Sequence, residues 1–423
     1  MDKRFAKIFN LTEDEAIALL KTPLDQLKDE TDRYIAASHL MNFPTERSIN
    51  ALIEAVQNDD SQLYNRIARR KAVESLGRLH ASVALPVIRS CLIDDDCYTV
   101  ENAVWAIGEI GTKDEAILEQ ISQLLEKPGQ SYRVIIQVLA KLDYQPALDR
   151  IRKFIDSDDE PISSAAISTV CRFTGDYTGM DKVVAFLEHS SVNARRACIQ
   201  DLIDARYYQA IPQISRCPVS VVFRLRGIKM LAEDGIPAGK ITFADIEPAI
   251  ERTLYDRAEE LELVHEYDLP PKLEFAIDEL YHTDFGRCYL ASKTLLEMYS
   301  EEAPEALMAT FAKEAHNDYG AHYHVVKLLG QLKYAPAYDL LVEALHNKAP
   351  QFQKSRAAAA IALANLGDRR AISEIKEGLK AKNWDLKYAC LLALEQLGDN
   401  SGKNIVAEDS DLLVKAKITS RSK

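Results

Sequence analysis

Apolar positions in this chain recur at helical spacing in short blocks that resemble one another. AVESLGRL (Ala72 to Leu79) and AVWAIGEI (Ala103 to Ile110) both set small and branched residues along one side of a helix. The series continues with VIIQVLAKL (Val134 to Leu142), AISTVCRF (Ala166 to Phe173) and VVKLLGQL (Val325 to Leu332), then IALANLGD (Ile361 to Asp368) and LLALEQLG (Leu391 to Gly398). In most of them a Gly follows that is read as opening the next turn. One anchor can be taken from each repeat: Leu76, Ile107, Leu139, Val170, Leu202, Leu231, Leu295, Leu329, Leu363 and Leu394. By subtraction, neighbouring anchors lie about 29 to 34 residues apart. The double step from Leu231 to Leu295 leaves room for an atypical repeat around AIERTLYDRAEELELV (Ala249 to Val264).

A period of roughly 32 holds two helices of three to four turns and their connections. One such hairpin cannot bury its apolar face alone, so stacking must supply the core. The aromatic-and-Pro pattern of a tetratricopeptide array is absent, and so is the TPLH turn of an ankyrin array. The expectation is therefore an all-α, crescent-shaped solenoid of HEAT-like repeats. Residues 1–235 would hold the N-terminal repeats. Residues 236–423 would hold the atypical middle repeat, the C-terminal repeats and a polar tail, the whole forming one continuous solenoid. Thr12 with Glu15 reads as a capping box. After Gly402 the chain turns polar, and Lys415 to Lys423 is expected to fray. The segment EDGIPAGKITF (Glu233 to Phe243), with the acidic stretch Asp256 to Asp268, reads either as a hinge or as a diverged repeat.

Composition narrows the function classes. Of 423 residues, 47% are hydrophobic and 28% charged, which suits a packed chain and not a disordered one. Only 16 Gly and 15 Pro punctuate it, which suits helices joined by short turns. The net charge of −13 argues against a nucleic-acid binder. No apolar run approaches the roughly 18 residues of a membrane span. Met1-Asp2-Lys3-Arg4 carries no signal-peptide pattern, and the seven Cys form no CxxC pair. Reduced thiols in the cytosol are expected. There is no GxGxxG, Walker loop, GxSxG or HExxH, and no cofactor is expected.

Three clusters carry candidate chemistry. The first is His316-Asn317-Asp318-Tyr319-Gly320-Ala321-His322-Tyr323-His324, at the opening of a helix. Asp318, Tyr319 and His322 are its candidate acid–base groups; equally, Asp318 could be an N-cap and Tyr319 with Tyr323 core packing. His322 and His324, two residues apart, fall on different faces, so no metal site is expected. The second cluster is Tyr98, Glu101, Asn102 and Trp105, where an ordinary repeat would place Ala and Leu. Tyr98, Asn102 and Trp105 share one side at i, i+4, i+7. It reads as a polar-aromatic patch on an inner helix face, or else as capping by Thr99 and Asn102. The third is a row of basic residues near the start of second helices, including Arg66, Arg69, Arg133, Arg172, Arg195 and Arg224. Such a row suits a ligand bearing carboxylates. Any single Arg could instead bond to its neighbouring repeat in a structural ladder.

NRIARRKAVESLGRL (Asn65 to Leu79), followed by DDDCYTVENAVWAIGEIGT (Asp94 to Thr112), resembles the E/F-type phycobilin lyases of cyanobacteria. YTVENAVWAIGEIG is the most specific stretch, and the likeness is strongest over Leu11 to Thr174. The later repeats, with HNDYGAHYH, are similar to single-chain phycoerythrobilin lyases and lyase-isomerases. The resemblance implies a linear tetrapyrrole, phycoerythrobilin, as substrate and an apo-phycobiliprotein subunit as partner, above all the phycoerythrin α subunit. It implies addition of a Cys thiol to the A-ring ethylidene, with or without isomerisation to phycourobilin. Arg66, Arg69, Arg133, Arg172 and Arg224 would then face the propionates. Tyr98, Trp105 and Tyr132 would stack on the rings, with Asn102 beside them. Asp318 or Glu101 would accept the pyrrole N–H groups, and Tyr319 or His322 would pass the proton. A non-catalytic bilin chaperone, a phycobilisome adaptor and a plain interaction scaffold are the alternatives.

Overall fold

The computed structural model describes residues 11–58 and 60–420. The expectations for Met1 to Arg4 and for the last three residues of the tail lie outside them. The described residues are helical throughout, with no strand among them. They fall into two compact units divided between Gly179 and Met180.

The first unit is five helical hairpins. They are α1 (Glu13–Lys21) with α2 (Asp32–Leu40), and α3 (Glu46–Gln57) with α4 (Leu63–Arg78). Next come α5 (Leu85–Ser90) with α6 (Cys97–Ile110), α7 (Glu115–Gln123) with α8 (Tyr132–Lys141), and α9 (Leu148–Arg152) with α10 (Glu160–Thr174). The second helices form one row, α2 on α4 on α6 on α8 on α10, and the first helices back them. The core lies between the rows and runs without a break from Ala16 to Ala166. Oxygen-bearing side chains start many of the helices: Thr12 in a full capping box with Glu15, and Thr45, Asp96, Asp114 and Asp159 accepting from first-turn N–H groups.

The repeat turn explains the recurring glycines in two ways. Each second helix of this unit after α2 is followed by a residue of positive φ, at His80, Gly111, Asp143 and Gly175, and beyond the unit the same turn recurs at Arg206, Lys333, Gly367 and Gly398. These left-handed residues end the helix and reverse the chain. Gly77 and Gly108, expected to open turns, instead lie inside α4 and α6. A Cβ on Gly77 would stand 2.8 Å from the Ala106 backbone, so its role is to let α4 and α6 approach closely.

The second unit begins with the hairpins α11 (Met180–Ala185) with α12 (Val192–Asp204) and α13 (Ile211–Arg216) with α14 (Val221–Gly235). In the double step of the repeat pattern stands one long helix, α15 (Phe243–Tyr255), capped by a Thr242–Asp245 box. Then follow α16 (Leu273–Asp278) with α17 (Phe285–Met298), α18 (Ala303–Lys313) with α19 (Ala321–Gln331), and α20 (Tyr338–His346) with α21 (Gln353–Leu366). The last are α22 (Ala371–Gly378) with α23 (Trp384–Gln396), α24 (Gly402–Ile405) and α25 (Leu412–Thr419). The row α17, α19, α21, α23, α25 is continuous, and α15 packs on α13 and α14 on one side and on α21 on the other. The segment 233–243 thus lies within this unit, from the last turn of α14 to the first residue of α15.

The fraying expected from Lys415 onward fails over 415–419, which belong to the helix α25. Leu413 and Val414 are fully buried, and Lys417 bonds Glu251 at 2.8 Å and Glu247 at 3.1 Å on α15. Two apolar side chains and a three-carboxylate ion cluster (Glu395 at 3.5 Å is the third) hold a segment whose composition reads as polar.

Candidate functional site

In the first unit the row of second helices leaves one face uncovered, and α6 contributes a stripe to it. Tyr98 is 59% exposed, while Glu101, Asn102 and Trp105 are half-buried along the same side. The structure therefore brings this predicted quartet together. Around it the neighbouring helices lay cations on rings. Arg70 stands 4.8 Å from the Tyr98 ring centre, Arg78 5.3 Å from that of Trp105, and Lys71 5.1 Å from that of Tyr34. Glu101 accepts from the Ser131 hydroxyl at 2.5 Å, and Asn102 donates to the Tyr98 carbonyl at 2.7 Å. Thr99 is buried and donates to Asp96, the α6 cap. Tyr132 lies beside Phe154, ring centres 4.8 Å apart, with its hydroxyl on the Lys127 carbonyl, away from the quartet's contacts.

The predicted arginine row is mostly engaged within the protein. Arg69 donates to the Val56 carbonyl at 2.7 Å and pairs with Asp94 of the next repeat. Arg70 holds Asp96 with two bonds of 2.6 Å, and Arg66 stands 3.6 Å from the same carboxylate. Burial would raise the Asp96 pKa, but these guanidinium groups and Thr99 bring it below the usual carboxylate range. Arg133 donates to the Pro161 carbonyl, and Arg172 stands 3.8 Å from Asp143. In the second unit Arg195 and Arg224 are fully buried and pair with Asp284 and Asp256. The expectation that Arg224 meets a propionate is therefore corrected: it has no surface to offer. A structural ladder accounts for these residues: Arg69, Arg70 and Arg224 each reach an acid in the turn that follows, Arg133 a carbonyl of α10, Arg172 the turn before its own hairpin, and Arg195 the cap of α17.

The second unit's interior holds a polar network that the sequence did not reveal. Asp256 sits in a left-handed turn after α15 and receives Arg224, the Tyr323 hydroxyl at 2.6 Å and Lys327 at 3.2 Å. Tyr289 takes a 2.7 Å bond from Arg224. Burial opposes the Asp256 charge, yet Lys327 and Arg224 hold its pKa well below the usual range. This network ends α15 against α14, α17 and α19.

The predicted acid–base cluster stands at the start of α19, and its members part company. The Asp318 carboxylate accepts from the N–H groups of Gly320 and Ala321 at 2.8 and 2.7 Å, so it caps the helix. Tyr319 is 49% exposed. His322 is only 2% exposed; its Nδ1 lies 2.9 Å from the Ser355 hydroxyl and its ring stacks on Phe352 at 4.3 Å. Burial, and then the charge of Lys354, pushes its pKa down to about 4. A ring that is neutral at pH 7 and sealed from the surface is not the reserve proton donor expected of it. His324 is buried among Phe285, Tyr289 and Tyr323 on another side of the helix.

Comparison with known proteins identifies the company this chain keeps. Residues 32–58 and 355–381 match the PBS lyase HEAT-like repeat. Over 420 residues the chain is 62% identical to the phycocyanin operon protein Y of Pseudanabaena tenuis, covering 99% of this chain and all of that one. It is 34% identical over 380 residues to the bilin biosynthesis protein CpeY of Synechococcus sp., covering 88% of this chain and 90% of the relative. The chain belongs to the E/F-type phycobilin lyase family. The solved complex of CpcE and CpcF of phycocyanin lyase from Nostoc sp. shares the fold, with a TM-score of 0.50 at 24% identity. That match covers 58% of this chain and 94% of the solved one.

One residue packed against the first cluster carries no motif of its own in the sequence. Lys354, at the start of α21, is 4% exposed, and its ammonium makes no hydrogen bond among the described residues. It lies 3.1 Å from the centre of the Tyr319 ring and 4.5 Å from that of Phe285. Burial lowers its pKa to about 7, with Asp318 among the charges that oppose the shift. A lysine so placed exchanges its proton near neutral pH. The only signal in the sequence is a Lys leading into the Ala-rich, wholly buried run AAAAIALA (Ala357 to Ala364). Among the described residues no helix is long and apolar enough to cross a membrane.

Proposed function

We propose that this protein is a bilin lyase that attaches phycoerythrobilin through a thioether to a Cys of a phycobiliprotein, the phycoerythrin α subunit being the first acceptor to try. Relatives named for bilin biosynthesis and for phycocyanobilin lyase support the reaction class. The observation that carries the site is the convergence of Asp318, half-exposed Tyr319 and buried Lys354 at one helix opening. In the addition, the acceptor's S–H crosses the exocyclic double bond of ring A. The S–C bond forms at the ethylidene carbon and a proton arrives at the ring carbon, so no oxidant or reductant is needed. Tyr319 delivers that proton from the surface. Lys354 beneath its ring stabilises the phenolate left behind, and Asp318 steadies the positive charge that develops on the tetrapyrrole. Isomerisation to phycourobilin would use the same groups to protonate one carbon and deprotonate another.

Co-expression with a phycoerythrobilin pathway and apo-phycoerythrin α or β subunits tests the reading. The expected product is a subunit whose bilin absorbance survives denaturation. A green-absorbing band marks a lyase and a blue-shifted urobilin band a lyase-isomerase. Tyr319→Phe keeps the ring and removes the proton, and should slow attachment by about 10²-fold or more. Asp318→Asn keeps the capping oxygen and removes the charge. Attachment at the wild-type rate by both variants would make the cluster structural and return attention to Glu101. Bilin bound but never transferred, under any pairing, would make the protein a chaperone.

A further inference from the structure

The second unit contains a cleft of about 410 Å³ between α14 and the opening of α23. One wall is a single stripe of α14, where Val222 and Met230, both partly exposed, flank Arg226. The other is the segment 382–385, with Lys382, the half-buried Trp384 and Asp385. Its charges are unevenly matched. Lys229 pairs with Asp411, stands 3.4 Å from Glu233 and lies 4.8 Å from the Trp384 ring centre. Arg226 and Lys382 are exposed and form no ion pair among the described residues. A second cavity, of only about 10 Å³, shares Val222, Leu225 and Asp385 with the first and is lined as well by Tyr323 and Lys354. Lys354, the residue that lies under Tyr319, thus stands across a water-sized void from the inner wall of the cleft.

Apolar side chains and an indole left open beside two unmatched cations suit a flat, apolar ligand that carries carboxylates. We infer that this cleft binds the propionate-bearing rings of the bilin, with Arg226 and Lys382 on the carboxylates and Trp384 on a ring face, and so aims the reacting end at Tyr319. The inference rests on the bilin reading above and adds the place where the substrate is held. Asp385 stands where it can accept pyrrole N–H groups. The side of the repeats that holds the ligand is then α14 with the start of α23, not the α6 quartet.

Titrating the purified full chain with phycoerythrobilin and with its dimethyl ester, by absorbance and fluorescence, separates the possibilities. Arg226→Gln with Lys382→Gln should weaken phycoerythrobilin about tenfold or more, while binding of the uncharged ester stays unchanged. Trp384→Leu should weaken both ligands. Because Arg226 and Lys382 are exposed and unpaired, the double variant should keep its helical circular dichroism. Unchanged affinity of the double variant, an equal loss for acid and ester, or a loss for the ester alone overturns the inference. A wild-type chain that neither binds nor transfers bilin overturns the lyase reading itself, and that result is distinct from the other three.

Discussion

The two units spend the same repeat differently. In the first, the faces of α4, α6 and α8 that point away from the core stay in contact with solvent. There they carry cation–ring contacts and partly exposed ion pairs such as Arg69–Asp94, whose side chains are 16% and 18% exposed. In the second, the corresponding face is folded in under α14 and α15. The Arg224–Asp256 pair is 0% and 1% exposed there, and Tyr289, Tyr323, His324 and Lys327 join it in the interior. An Arg at one position of one repeat can thus be a surface strut or a core residue. Position within a repeat does not fix the environment of a side chain; the packing of later repeats does.

The chain has two Trp, and one lies in each unit, so Trp384→Phe and Trp105→Phe backgrounds report the first and second unit separately. The largest expected difference is between matched acids. Asp256→Asn strips the charge from a buried site holding Arg224 and Lys327, and should cost about 3–5 kcal/mol in urea unfolding of the second unit. Asp94→Asn should cost the first unit only about 1 kcal/mol, because water reaches the pair. Equal losses would erase the distinction between the units.

Acid should separate them next. His322 and His324 have folded-state pKa values pushed below their ordinary value, so only the unfolded chain takes up their protons. The stability they permit is complete above about pH 6.5 and is lost as pH falls toward about 4, by roughly 2–3 kcal/mol for His322. In the first unit Asp96 and Glu74 are shifted down, so their contribution persists until pH falls below about 4. Melting each single-Trp background from pH 7 to pH 4 should show the second unit weakening first, and His322→Gln should flatten its slope. Lys354 adds an opposite-end signature. Its lowered pKa makes the second unit gain stability from about pH 7 up to about 10, and Lys354→Met should abolish that gain.

The smallest effect belongs to the open face. Trp105→Ala removes a half-buried ring from under Arg78. It should cost about 1–2 kcal/mol, against the 3–5 kcal/mol of a core Trp. Circular dichroism and unfolding of the first unit measure it. A core-sized loss would mean that the quartet is packing and not surface.

Much of this architecture was legible in the sequence, for identifiable reasons. Anchors such as Leu76, Ile107, Leu139 and Leu363 are all buried, because a stacked hairpin has only one way to hide its apolar stripe. The quartet on α6 was legible for the converse reason: helical spacing puts Tyr98, Asn102 and Trp105 on the side the anchors avoid. The arginines were not, because a guanidinium serves a ligand or a carbonyl equally well until its partner is known. Lys354 and the Asp256 network were invisible for a related reason. Their partners lie in other hairpins, and Asp256 meets Tyr323 across 67 residues and Lys327 across 71. The tail misled because two buried aliphatics, Leu413 and Val414, outweigh its polar majority.

The seating of α25 has a further consequence, in time. An open stack of hairpins can fold as each repeat is made, since every contact is with a neighbour. The second unit cannot finish that way. Lys417 reaches Glu251 over 166 residues, and Asp411 reaches Lys229 over 182. Until residues 411–419 have left the ribosome, the carboxylates of α15 and the Lys229 side of α14 wait for Lys417 and Asp411. Contacts of such separation slow the final step of folding, so ring closure by α25, and not growth of the stack, sets when the second unit becomes complete.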